Sequence, residues 1–296
     1  MTAPLLPAES LFDVLVINRE RDKARLERFA ATCAAKELVY QRIDAVDALT
    51  PSFQIEEYLQ YVKKGQGMFH AQIPLGSFGN WMSQIKAWRY VVKSNKPALI
   101  CEDDSDFIGK IEDLNGIFEE DLKWDLVFCN DRACPATTSL SKEWIDCCQQ
   151  WRSVTVPLSF AINTRLALQK PWTAPGGDCY MISPAGAERL LKGAEKTGVY
   201  MHLDWMLVRH SIFGMRKEDF LYGNPAQPFY RFLKKSGSVD LSINLKARTL
   251  IRPFARHRPQ GVGGSITKNP TARSMFYDVK KGIVITNKSV NPENDL

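Results

Sequence analysis

The most constraining feature of this chain is a short apolar run, Pro97-Ala98-Leu99-Ile100-Cys101, that stops abruptly at Glu102-Asp103-Asp104. Five apolar residues are too few for a buried helix and the right number for a buried strand, so the three acids emerge at a strand's C-terminal end. The residues before it predict a long helix over roughly Phe78 to Val92, with Phe78, Trp81, Met82, Ile85, Trp88 and Val92 along one face. A helix feeding a buried strand is the unit of an α/β fold, and ligands of such folds bind beyond the strand C-termini.

The same alternation recurs along the chain. Phe12 to Asn18 (FDVLVIN) reads as a strand, and Leu26, Phe29, Ala30 and Cys33 follow at helical spacing. Leu38 to Ile43 is a second strand candidate. Trp124 to Cys129 is another, ending in the polar turn Asn130-Asp131-Arg132. Between about Cys134 and Pro175 the pattern is weak and predicts loops with short strands. Asp178 to Ile182 resumes strand character, Ser183-Pro184 supplies an N-cap with proline at the first helical position, and a last helix carries Leu203, Met206, Leu207 and His210. The expectation is a mostly parallel central sheet flanked by helices, in a domain spanning residues 1–240, followed by a basic C-terminal region over 241–296 that either stands apart or packs on the same domain.

Composition narrows the class. With 45% hydrophobic and 24% charged residues the chain is neither disordered nor fibrous. Charged or polar residues interrupt every apolar run before the ~20 residues that a spanning helix needs. The opening MTAPLLPAESLFD lacks the basic start and apolar stretch of a secretory signal, which gives the cytoplasm as the expected location. The seven cysteines form no CxxC pair, and Cys33, Cys101, Cys129, Cys147, Cys148 and Cys179 mostly fall in apolar or helical patterns, as buried thiols do. His70, His202, His210 and His257 are scattered, which argues against structural zinc. The net charge of +6 is concentrated: from Leu241 to Tyr277 there is no acidic residue, while Lys246, Arg248, Arg252, Arg256, Arg258, Lys268 and Arg273 lie there. This stretch is either a solvated tail or a surface for an anionic partner, such as the inner face of a membrane.

Three carboxylates at one strand end repel one another unless a cation or hydrogen bonds compensate them, and a divalent metal is a natural partner. Strand alternation puts Glu102 and Asp104 on one side and Asp103 on the other. Asp104-Ser105-Asp106 offers the same spacing in a second register, so the metal ligands are drawn from Glu102, Asp104 and Asp106. Two carboxylates together with diphosphate oxygens would satisfy Mn²⁺ or Mg²⁺.

The stretch PLGSFGNWMSQIKAWRYVVKSNKPALICEDD resembles the signature of glycosyltransferase family 25, which includes lipooligosaccharide and collagen galactosyltransferases. Asn18, Arg21 and Arg25 match its Asn-x-x-Arg-x-x-x-Arg spacing, RIDAVDA matches the segment after its second strand, and GGDCYMISPAGAERLL resembles a further block. His202-Leu203-Asp204 falls where the family places an aspartate. These matches run in order over roughly residues 12 to 207, and ordered matches are more specific than any single motif. The chain departs from the pattern at Ser83-Gln84, where the family has Ser-His, and at Asn80, where a cysteine is usual.

The resemblance implies a GT-A-type nucleotide-sugar-binding fold, a UDP-sugar donor (galactose most often), a glycan acceptor that can be lipid-linked, and inversion at the anomeric carbon. No nucleic acid partner is expected. Donor contacts are assigned to Asn18, Arg21, Ser83, Gln84 and Asp103. Inversion needs a base for the acceptor hydroxyl, with Asp204 first and Asp178 and Asp131 behind it. Asp204 could equally cap the helix that follows it. Arg21 and Arg25 are both candidates to approach the diphosphate from the first helix, and the alternative of an exposed helical charge paired with Asp22 or Glu20 applies to Arg25 more than to Arg21. Two rivals stand beside this reading. One is a metal-dependent phosphodiesterase, for which the further acids or histidines of a two-metal site are missing. The other is a non-catalytic relative that binds glycan or membrane, which Gln84 and Asn80 keep open.

Overall fold

The computed structural model describes residues 10–63, 69, 71–119, 123–132, 141–167, 176–212, 244–257 and 275–286. A seven-stranded sheet forms the centre. Its strands are β1 (Asp13–Asn18), β2 (Tyr40–Asp44), β4 (Ala98–Glu102), β6 (Leu126–Phe128), β7 (Thr155–Pro157), β8 (Cys179–Ile182) and β9 (Ala247–Leu250), in the spatial order β2-β1-β4-β8-β6-β9-β7. Strand β8 runs against β4 and β6, and β7 runs against β9. The other five point the same way, so the sheet is mostly parallel and their C-terminal ends share one edge. This is an α/β arrangement of GT-A-like type.

Helices α1 (Lys23–Ala34), α2 (Leu75–Ser94), α3 (Ile111–Glu119), α4 (Ser141–Cys148), α5 (Leu158–Ala167), α6 (Pro184–Thr197) and α7 (Leu203–Ile212) flank the sheet. Alternating strand residues divide its two faces. Leu15, Ile17, Ile100, Phe128, Tyr180 and Ile182 meet α2 and α6, whereas Val14, Val16, Leu99, Cys101, Val127 and Met181 meet α1 and α3. The period-two alternation of side chains decides this division.

Helix α2 begins three residues before its predicted start and is buried nearly all round. Phe78, Trp81, Met82, Ile85 and Trp88 are in the core as expected, but Val92 is 38% exposed and Val91 is buried in its place. Trp81 donates to the Met201 carbonyl at 2.8 Å and Trp88 to the Tyr180 hydroxyl at 2.8 Å, so both indoles anchor the helix with satisfied N–H groups. Ser183 caps α6 by accepting from the Gly186 N–H at 3.0 Å, with Pro184 in the first turn.

The weakly patterned region behaves differently from expectation. Among its described residues, β7 is a short strand of the kind predicted, but the helices α4 and α5 stand where loops are predicted. Their own small core of Trp144, Cys148, Val156 and Ala161 supplies the burial that local periodicity does not reveal. The basic C-terminal segment contributes β9 to the central sheet, between β6 and β7. It also contributes β10 (Ala255–His257), which pairs with β5 (Ser105–Phe107). Beyond it, β11 (Met275–Asp278) pairs with β3 (Gln72–Pro74) and β12 (Ile283–Thr286). The arginines of the segment therefore do not form one patch. Arg248 donates to Thr155, and Arg256 lies 3.5 Å from Asp106. Arg258, Lys268 and Arg273 lie outside the described residues, as does His70. No helix among the described residues is long and apolar enough to cross a membrane. Of the described cysteines, Cys147 is exposed and Cys33, Cys101, Cys129, Cys148 and Cys179 are buried.

Candidate active site

A cleft of about 110 Å³ opens at the C-terminal edge of β1 and β4. Asn18 and Arg19 from the end of β1, Asp47 to Leu49 after β2, Gly76 and Asn80 from the first turns of α2, and Glu102 to Asp104 after β4 line it. The close approach of α2 to the segment after β2 requires a glycine: a Cβ on Gly79 would stand 2.6 Å from the Val46 carbonyl oxygen. Ser83 fixes that segment further, accepting from the Val46 N–H at 2.8 Å and donating to the Gly79 carbonyl at 2.6 Å.

The acidic run is not arranged as an extended strand. Strand β4 ends at Glu102, and Asp103 and Asp104 form the turn into β5. Both aspartates are buried, and both meet the same cation: an Arg25 guanidinium nitrogen lies 2.6 Å from Asp103 and 2.8 Å from Asp104. Asn18 donates to the other Asp103 oxygen at 2.6 Å. Alternation therefore does not separate Asp103 from Asp104, because the chain leaves the strand geometry one residue earlier than expected. Burial holds the Asp103 carboxyl up at about 6, despite Arg25 and Asn18, which act to lower it.

This corrects the reading of the two arginines. Arg25 is buried and binds the acidic turn, because α1 packs its inner face over the end of β4. Arg21 is 51% exposed and pairs with Asp47 at 2.7 Å on the rim. Arg19, which sequence reasoning passed over, pairs with Asp22 at 2.5 Å and lines the cleft.

Glu102 belongs to a second group. Asn80 donates to it at 3.2 Å. Burial raises its carboxyl to about 8, and Asp104, Asp204 and Asp178 add to the rise, opposed by Arg132. These carboxylates reach one another because β8 is inserted antiparallel beside β4: the Asp178 carbonyl accepts from the Glu102 N–H at 2.8 Å. Arg132, in the turn after β6, bonds to Asp178 and lies 3.1 Å from Asp204. Burial opposes its charge, but Asp178 and Asp204 outweigh that cost and hold the guanidinium protonated. The glycine pair before Asp178 makes room for this contact, since a Cβ on Gly176 would fall 1.3 Å from an Arg132 nitrogen.

Asp204 lies inside the first turn of α7 rather than at its cap. One of its oxygens accepts from the Gly177 N–H at 2.8 Å and the other faces Arg132. Its side chain is 32% exposed, against 1% for Asp178, which Arg132 and Asn130 cover. Asp131 is tied through its N–H to the Ala255 carbonyl at 2.9 Å. Asp106 is set apart from Glu102: it lies on β5 between Thr32 of α1 and Arg256 of β10. Gln84 is fully buried and outside the cleft lining, accepting from the Tyr180 hydroxyl at 2.5 Å, so it braces β8 instead of facing a ligand.

The arrangement thus offers hard oxygen donors in excess of nearby positive charge beside the cleft at the ends of β1 and β4. Among the described residues no group of three His, Cys, Asp or Glu side chains is spaced to hold an ion. Glu102 and Asp104 would provide two protein ligands, with the remaining ones coming from the bound substrate.

The family model of glycosyltransferase family 25 (LPS biosynthesis protein) matches residues 12–207. That span contains both the cleft and the Arg132 cluster. A search of curated proteins gives no match.

Proposed function

The chain belongs to glycosyltransferase family 25, and from that premise we propose that it transfers a hexose, galactose first, from a UDP-sugar to a glycan acceptor with inversion. The observation that carries this reading is a cleft whose lining includes Asn18, Arg19, Asn80, Glu102 and Asp104, with Asp178 and Asp204 close enough to Glu102 to raise its carboxyl. The nucleotide sugar enters over the end of β1, where Arg19 and Asn18 face the cleft. Glu102 and Asp104 would hold Mn²⁺ or Mg²⁺, which when bound supplies Lewis-acid stabilisation of the departing diphosphate.

Inversion in one displacement requires the acceptor oxygen to lose its proton as it bonds to the anomeric carbon and the bond from that carbon to the UDP oxygen breaks. Asp204 is the base in this reading, because it combines partial exposure with two fixed contacts that orient its carboxylate. Asp178 also bonds to Arg132, and Arg132 holds one Asp204 oxygen in place. Asn80 and the acidic neighbours of Glu102 define the junction between the donor cleft and the base.

The test is a thermal-shift series with UDP-galactose, UDP-glucose, UDP-N-acetylglucosamine and UDP, each with and without Mn²⁺. A ligand at 100 times its Kd stabilises by about 2.7 kcal/mol. UDP-galactose with Mn²⁺ is expected to give the largest rise and slow release of free galactose. Absence of any shift with every nucleotide would overturn the reading, and a shift with no sugar release to water or acceptor would leave a binding protein.

A further inference from the structure

A second cleft lies at the β9–β7 end of the sheet and is unlike the first. Asp113, Cys148, Arg152, Val154, Ile251 and Arg252 are among its lining residues, and its volume is about 270 Å³. Ile145, Val154 and Ile251 make part of its lining apolar, and Arg152 and Arg252 are its two basic residues. Neither Arg152 nor Arg252 is in an ion pair among the described residues, and both are exposed. This sets Arg252 apart from Arg248 and Arg256 of the same segment, whose side chains are bonded to Thr155 and placed near Asp106. Asp113 is the acid of the cleft, so its net charge remains positive.

Two further observations mark this cleft. Arg152 has φ 44° and ψ 37°, the left-handed region, which a glycine or asparagine would occupy with less strain. The position is also informative. Ile251 and Arg252 directly follow β9, whose C-terminal end lies on the same sheet edge as those of β1 and β4. Three strand spacings separate β4 from β9 in the order β4-β8-β6-β9, or roughly 14 Å at about 4.8 Å each. An extended acceptor whose reactive hydroxyl reaches Asp204 could place a group there.

We propose that the cleft between α4, β7 and the end of β9 is a phosphate site, in which Arg152 and Arg252 clasp a phosphomonoester carried by the acceptor. The inference rests on the glycosyltransferase reading and names the acceptor's chemical class: a glycan with a phosphate a few sugars from the hydroxyl that is glycosylated. Arginine suits this because its fork of donors matches phosphate oxygens, and the apolar lining residues suit a sugar face or an acyl stem. The same chemistry could come from a phosphosugar in solution or from a phosphomonoester lipid headgroup.

The experiment uses the full chain with UDP held at saturation, at fixed ionic strength. Glucosamine 6-phosphate and vesicles containing phosphatidic acid are titrated separately, with glucosamine as the uncharged-group control. Wild type is compared with Arg152→Ser, Arg252→Ser, the double variant, and Arg42→Ser as a control for general surface charge. Each single change is expected to weaken phosphosugar or vesicle binding about tenfold, a loss typical of one charge-assisted contact, with UDP binding and melting temperature unchanged. Dependence on both arginines for the soluble phosphosugar identifies a glycan source, and dependence for vesicles alone identifies a lipid source. Equal binding by the double variant, an equal loss in Arg42→Ser, or no preference over glucosamine overturns the proposal. Loss of UDP binding alone, with arginine-dependent phosphate binding intact, would count against the donor reading and not against this site.

Discussion

Asp204, in the first turn of α7, lies 3.1 Å from Arg132 in the turn after β6, and the same guanidinium bonds to the buried Asp178. One cation therefore ties together the two strand ends and the helix that border Glu102. The contact decides how Asp204 can act, because it fixes one carboxylate oxygen while Gly177 fixes the other.

Replacing Asp204 by Asn keeps an acceptor for the Gly177 N–H but removes the base. The variant is expected to bind UDP as wild type does and to transfer sugar roughly 10² to 10⁴ times more slowly. Melting temperature and single-turnover rate, measured on the same preparation, separate this from a structural loss. A destabilised but fully active variant would move the base to Asp178 or Asp131.

Arg25 and Arg21 should differ sharply. Arg25→Met leaves Asp103 and Asp104 buried without their shared cation, and breaking such a pair from one side costs about 3–5 kcal/mol. Arg21→Ala removes an exposed partner of Asp47 and should cost about 0–1 kcal/mol. Urea melts of the two variants check the contrast, and similar midpoints would show that the buried pair contributes little.

The raised Glu102 carboxyl has a defined consequence for stability. Its folded value, about 8, exceeds the ordinary 4.5, so the folded state holds the proton more tightly than the unfolded chain. Stability from this group is fully present below pH 4.5 and is lost as pH rises toward 8. Asp103, held up at about 6, acts in the same direction over a narrower range. Glu102→Gln should therefore flatten the pH dependence, matching wild type near pH 4.5 and melting several degrees higher at pH 8. Parallel curves for the two proteins would refute the assignment.

Gln84 is expected to behave as a brace. Gln84→Ala removes the acceptor of the buried Tyr180 hydroxyl, which also receives the Trp88 N–H, and should cost about 1–3 kcal/mol. Donor affinity per folded molecule should change less than twofold. A large loss of UDP affinity in calorimetry, with an unchanged melting temperature, would instead put Gln84 at the ligand.

The sequence by itself determined the strands β1, β2, β4, β6 and β8, the long tryptophan-bearing helix, the Ser183-Pro184 cap and the release of three acids at the end of β4. Each of these depends on periodicity or capping within one short segment, and such signals survive whatever the rest of the chain does. It also held, in three ordered blocks, enough of a family's pattern to name the activity class. Tertiary structure decided which charges meet. Arg25 binds Asp103 and Asp104 because α1 folds over the end of β4, while Arg21, four residues away, is left on the rim. Arg132 reaches Asp204 because β8 enters antiparallel between β4 and β6, and because Gly176 has no side chain to block it. The C-terminal segment reads as a basic tail until β9 is seen between β6 and β7, where sheet pairing separates Arg248, Arg252 and Arg256 to different surroundings. Pairing between distant segments depends on strand order and register, which are global properties of the packed sheet and leave no local periodicity to read.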